Sequence, residues 1–298
     1  MSKEQLSKFC TLFLGIFLLW GFSGCAFQQP ISAAEQVVYS NKDIIARLAQ
    51  ANVVYLGENH DSLADHQAQL EIITALYQQN PQIAIALEMF QRPFQPVLER
   101  YLAGEINETQ LREQTEYDRR WGFNWEYYAP ILRFALAHQI PLIAANTPTE
   151  ITRQVARDGL DSLDEDDFHY IPPLAEIETD DPDYRQMLRA SYDNHAHDGH
   201  GNSDGFANFF AAQVLWDETM AEAIAQFYQA NPDYQIVVLA GEGHIIYGYG
   251  IPSRVGRRIS QKSFRQLSVL LGETQTFDKL ESPADYLWRY QQPEVNDR

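Results

Sequence analysis

The stretch Asn52-Val-Val-Tyr-Leu-Gly-Glu-Asn-His60 is an apolar run closed by Gly-Glu-x-His, and Gln235-Ile-Val-Val-Leu-Ala-Gly-Glu-Gly-His244 repeats it far downstream. A short run rich in Val, Ile and Leu and stopped by glycine reads as a strand buried on both faces, the type found in parallel sheets. Polar side chains just past the carboxyl ends of such strands face the crevice where α/β folds bind ligands. Each copy therefore offers one carboxylate, Glu58 or Glu242, and one imidazole, His60 or His244, to a shared mouth. In a purely structural role the same residues would only turn the chain and cap the next helix. The repetition on two strands favours a ligand site.

After His60, Asp61-Ser-Leu-Ala-Asp65 opens a helix with acidic residues in its first turn, and helical apolar spacing continues to Asn80-Pro81. A second buried run, Gln82-Ile-Ala-Ile-Ala-Leu87, ends on Glu88, and a third, Ile140-Pro-Leu-Ile-Ala-Ala-Asn146, ends on Asn146. A strand, a crossover helix and a strand form a βαβ unit, so the first two strands are expected to be parallel neighbours. The pattern predicts strands at 53–56, 83–87, 141–145 and 236–240, with Glu58, His60, Glu88, Asn146, Glu242 and His244 on one side of one sheet. Residues 94–137 read as helical, interrupted by an aromatic knot at Trp121, Phe123, Trp125, Tyr127 and Tyr128 beside Arg119 and Arg120.

Residues 150–206 carry no strand signal and read as an inserted helical and loop region. Within it, residues 191–205 hold His195, His197 and His200, either a solvated loop or a metal-binding one. A long amphipathic helix over 206–230 contains Trp216, Asp217 and Met220, and Asn231-Pro232 ends it. After His244 comes a Gly- and Tyr-rich turn through Tyr247 and Tyr249 to Arg254, and the tail near Asp285-Tyr-Leu-Trp288 reads as an edge strand or docked segment.

The 298 residues suffice for one large domain, here 36–298, and 45% hydrophobic with 21% charged content is ordinary for a folded protein. A formal charge of −19 repels phosphate, which excludes nucleic acid as a natural partner. Residues 1–25 combine Lys3 and Lys8, an apolar run and Phe22-Ser-Gly-Cys25, and resemble a bacterial lipoprotein signal with Cys25 as the lipidated residue. Ser32-Ala-Ala34 offers a plain secretory cleavage site instead; both readings export the chain, to a membrane anchor in the cell envelope or as a soluble periplasmic or secreted protein. Residues 26–35 then form a tether. Cys10 and Cys25 are the only cysteines, so the mature domain is expected to use neither disulfides nor thiol chemistry.

The segments LGENHDSLADH (56–66), IALEMF (85–90), RRWGFNWEYY (119–128), IPLIAANTP (140–148), VLWDETMA (214–221) and LAGEGHIIYGYGIPSRV (239–255) together resemble the ChaN family of haem-binding, iron-uptake-associated lipoproteins. That family lies within the Tiki, TraB and erythromycin-esterase superfamily. The resemblance implies an α/β fold with a three-layer α/β/α core, a mainly parallel sheet, an inserted helical region, and haem as ligand. At 65–66 this chain has Asp-His where members commonly show paired histidines.

Haem asks for an axial donor, a flat apolar slot and cations for its propionates. His60, His244, Tyr247 and Tyr249 are candidate donors; Trp121, Phe123 and Trp125 candidate walls; Arg119, Arg120 and Arg254 candidate propionate partners. A competing reading uses Glu58, His60, Glu88, Glu242 and His244 to hold zinc, manganese or iron, with Glu58 or Glu242 as base of a metal-dependent peptidase or esterase. No Gly-x-Ser-x-Gly elbow is present, which argues against a serine hydrolase. One sequence neither demands nor excludes a homodimer sharing haem between subunits.

Overall fold

The repeated strands lie next to each other. In the computed structural model, which describes residues 39–195, 203–272 and 282–290, β1 (Val53–Glu58) pairs in parallel with β4 (Gln235–Gly241), setting Glu58 opposite Gly241. Six strands form one sheet in the order β3-β2-β4-β1-β5-β6, and every pairing is parallel. β2 spans Ile83–Gln91 and β3 Leu142–Asn146. β5, Gln266–Leu271, carries no sequence signal strong enough to predict it, and β6, Tyr286–Trp288, is the edge strand expected in the tail.

The first two strands are not the parallel neighbours that the βαβ pattern predicts. β1 and β2 are joined through α2 (Leu63–Gln79) but are not neighbours, because β4 inserts between them and pairs with both. Sequence-adjacent strands are spatial neighbours only about two-thirds of the time. The insertion decides where the chemistry sits, since the carboxyl ends of β1, β2 and β4 become three adjacent slots.

Alternating side chains on each strand enter two cores, as the period of two requires. Val54, Leu56, Ile83, Ile85, Leu87, Val237 and Leu239 share a core with residues of α1 (Asn41–Leu48), α2, α3 (Gln95–Leu102), α4 (Glu108–Gln114), α5 (Tyr117–Arg120) and α6 (Trp125–His138). Val53, Tyr55, Ala84, Ala86, Ile236, Val238 and Ala240 pack under α9 (Ser203–Ala230) and α10 (Ile251–Arg258). Helix, sheet and helix make three layers, and truncating a fully buried strand residue such as Leu239 to alanine would cost about 2–5 kcal/mol. The exposed side of edge strand β3 is closed by Gln95, whose amide donates to Leu142 O (3.0 Å) and accepts from Ala144 N (2.8 Å), occupying groups that another chain would otherwise pair with.

The insertion has a core of its own. α7 (Thr149–Asp158) and α8 (Pro182–His195) pack Ile151, Val155, Tyr184 and Leu188 against Phe206, Phe210, Val214 and Leu215 of α9. α9 thus runs from the insertion onto the sheet as one helix, carrying side chains to the carboxyl ends of the strands. No helix among the described residues is long and apolar enough to cross a membrane. Cys25, His197 and His200, together with the proposed signal and tether, lie outside the described residues, as does the side chain of His195.

Candidate functional site

At the end of β1 the chain turns so that His60 folds back on Glu58. His60 Nδ1 donates to Glu58 Oε1 at 2.9 Å, and the Tyr128 hydroxyl of α6 donates to the same oxygen at 2.5 Å. Glu58 Oε2 accepts from the Gln69 side-chain amide of α2. His66 closes the cluster, with Nε2 3.1 Å from the His60 carbonyl and Nδ1 3.1 Å from the Gln69 side-chain oxygen. Glu58 is therefore buried behind His60, with both oxygens occupied. Burial opposes a charge on His60, but its bond to Glu58 and the nearby Glu88 outweigh it and raise the imidazole above its ordinary value.

The His60 ring lies edge-on to Trp121 and tilted against Phe123, with centroids 4.8 and 4.9 Å away. It also lies directly over Gly241: a Cβ there would sit 2.8 Å from His60 Nε2. Among the described residues Nε2 has no hydrogen-bond partner.

The second motif is arranged differently. Glu242 to His244 form a 3-10 turn after β4, and His244 Nδ1 donates to Asp217 Oδ1 of α9 at 2.7 Å. Asp217 is fully buried (0% exposed) and accepts the Tyr184 hydroxyl at 2.5 Å. On the other side, His244 Nε2 is 3.4 Å from Glu88 Oε1, while Glu88 Oε2 accepts the Gly241 amide at 2.7 Å. Glu88 lies where the β2–β3 register shifts between Leu87 and Gln91, the type of irregularity that re-aims a side chain. Burial works against the His244 charge, yet Glu88 and Asp217 overcome it and push the imidazole up to about 10. Burial also opposes ionisation of Glu88, but His244 holds its carboxyl below the ordinary range.

These groups open on a cavity of about 510 Å³, within the range of about 300–1,000 Å³ usual for small-molecule sites. His60, Glu88, Asn146, Gln213 and His244 supply its polar lining, and Trp121, Phe123, Met89, Phe209 and Trp216 its apolar wall. Thr149, Thr152, Arg153 and Ala156 line it from one face of α7. Of the predicted residues, the structure brings His60, Glu88, Trp121, Phe123, Arg120, Asn146 and His244 to this cavity. Gln213 and Arg153 escaped the sequence reading; the spacing of Thr149, Thr152, Arg153 and Ala156, all on one helical face, was the available signal.

Other candidates lie elsewhere. Tyr247 lines a separate cavity with Tyr55 and Ser268, and Tyr249 packs on Tyr184, so neither lines the cavity beside His60. Arg119 is exposed (69%) and paired with Glu116. Arg254 is buried (4% exposed), 3.2 Å from Glu218 and bonded to the Tyr249 and Gly250 carbonyls, which makes it an anchor for α10. Trp125 belongs to the core, its indole donating to Glu108. Glu242 does not line the cavity; burial and the nearby Asp65 raise its carboxyl.

The bare-metal reading is not supported. Among the described residues no three His, Cys, Asp or Glu side chains converge as a metal requires. The physical reason is that Glu58 and Glu88 are spent on internal donors, and the two imidazoles are held by different carboxylates.

Comparison with known proteins bears on the fold and on the family. No curated protein sequence matches the chain. Among solved structures, ChaN of Campylobacter jejuni, described as binding haem cofacially, is similar at 20% identity over 84% of this chain and 91% of that one, with a TM-score of 0.66. An erythromycin esterase EreC mutant in its open conformation is similar at 17% identity over 77% of this chain and 72% of that one, TM-score 0.45. The type III effector HopBA1 is similar at 14% identity over 77% and 81%, TM-score 0.41. The family profile described as haem-binding uptake, Tiki superfamily, ChaN, matches residues 44–255, most of the described chain, and the protein therefore belongs to that family.

Proposed function

We propose that the protein binds haem in the cavity beside His60. The observation that carries this reading is the state of that side chain: Nδ1 is fixed by Glu58, Nε2 has no partner among the described residues, and Trp121 and Phe123 flank the ring. Haem supplies an iron that takes an axial imidazole or phenolate. The donor set fits that group, because a carboxylate behind an imidazole orients the ring and leaves the other nitrogen for the iron. His244 fits less well as donor, since both its nitrogens face carboxylates and it holds its proton up to about 10. The test is a haemin titration followed by absorption, run beside metal analysis of the purified protein. A saturable Soret shift with near one haem per chain supports the reading; a shift no larger than with a nonspecific carrier protein rejects it.

A role in haem or iron uptake, on a lipid-anchored exported protein in the cell envelope, follows as the cellular form of this proposal. The Phe22-Ser-Gly-Cys25 stretch supports it, and fatty-acid labelling that disappears in Cys25→Ser is the check. A second reading, ester hydrolysis by His60 as base and His244 as acid, is favoured by the buried Tyr184–Asp217–His244 chain, which an axial donor at His60 does not use. Turnover of esters by metal-free protein, lost in Asp217→Asn, would select it.

A further inference from the structure

The ionisable groups on the cavity wall are His60, Glu88, Arg120, Arg153 and His244. Four of the five have their charge answered from within the protein. His60 is bonded to Glu58, and Glu88 and His244 face each other. Arg120 is held by Glu116 at 2.6 Å and Glu150 at 2.9 Å, and its Nη1 also donates to Gln91. Its guanidinium lies over the Phe94 ring, 5.2 Å from the centroid, which fixes it further. Arg153 alone makes no hydrogen bond, ion pair or ring contact among the described residues, although the chain carries 41 acidic residues against 22 basic ones.

Arg153 is exposed on α7, one turn from Thr149 and beside Thr152 on the cavity-facing side of the helix. We infer that Arg153 is the anion-recognising residue of the site, donating to a carboxylate of the ligand while the ligand's apolar body lies against Trp121 and Phe123. The inference rests on the haem reading and deepens it: the ligand enters with its apolar edge inward and a propionate on Arg153. Arg120, equally close to the cavity, is spent on holding α7 through Glu150 and has no charge left to give. A guanidinium meeting a carboxylate forms a charge-assisted, frequently bidentate pair.

The experiment compares haemin with its dimethyl ester, which keeps the macrocycle and iron and removes both carboxylates. Both are titrated into the full chain, into Arg153→Gln, and into Arg119→Gln as an exposed arginine outside the cavity. The expected result is a loss of about tenfold or more in haemin affinity for Arg153→Gln, the worth of one hydrogen bond to a charged group. The ester should bind parent and Arg153→Gln alike, and Arg119→Gln should match the parent for both probes. Unchanged haemin affinity in Arg153→Gln, or an equal loss for ester and acid, overturns the role of Arg153 and leaves haem binding standing. A parent that binds neither probe overturns the haem reading and this inference with it.

Discussion

His60 Nδ1 lies 2.9 Å from Glu58 Oε1, and the two residues are separated by one position in the chain. The turn after β1 thereby carries its own carboxylate–imidazole pair, and Tyr128 and Gln69 pin the carboxylate from two helices. Glu58→Ala would leave the buried Tyr128 hydroxyl and Gln69 amide without their acceptor. Haem affinity is expected to fall about 10–100-fold, the usual range for losing the group behind a metal-bound histidine. The melting temperature should drop as well; a variant with parental haem affinity would separate Glu58 from the site.

Gly241 has no room for a side chain. A Cβ at 241 would sit 2.8 Å from His60 Nε2 and 2.9 Å from Cε1, while the backbone there, at φ −56, suits any residue. Gly241→Ala should therefore displace the imidazole at little cost to the backbone. The expected outcome is haem affinity lowered by more than about tenfold with cooperative unfolding retained. Haem binding equal to the parent would mean that the ring is not needed where it stands.

The paired charges make stability depend on pH with a definite sign. His244 is raised from an ordinary 6.5 to about 10, so its contribution is fully present below 6.5 and is lost as pH rises through about 10. Glu88 is held below its ordinary 4.5, so its contribution is present above 4.5 and is lost as pH falls through the folded-state value. Urea midpoints measured across pH should fall on the alkaline side between 6.5 and about 10, and His244→Gln should flatten that limb. A parent midpoint constant over the window would show that His244 carries no such proton.

Tyr247→Phe and Tyr249→Phe should leave the spectrum of the haem complex unchanged, because neither ring lines the cavity that holds His60. Loss of the Soret band in either variant, with the fold intact by circular dichroism, would move the iron to the Tyr247 turn.

The sheet was legible where residues stated their own burial. Two nearly identical apolar runs closed by Gly-Glu-x-His predicted β1 and β4, and Glu88 and Asn146 at the ends of their runs predicted which side carries polar groups. The slot between β1 and β2 was not legible, since strand order is a long-range choice that the linking helix α2 does not encode. β5 was missed because Gln266-Leu-Ser-Val-Leu-Leu271 is half-buried at its start and follows a polar turn. Within the site, strand-end residues announced themselves, whereas Gln213 sits on a long helix read only as amphipathic, and nothing local to Asp217 reveals its bond to His244. Arg254 misled for the opposite reason, since nothing local reveals that Glu218 buries it.

Whether His60 holds haem through Nε2 is read from His60→Gly titrated with haemin in the absence and presence of free imidazole. The parental Soret band is expected to be lost in His60→Gly and to return when imidazole fills the vacated space beside Trp121 and Phe123. A His60→Gly protein that binds haemin with the parental spectrum and affinity, without imidazole, would contradict it.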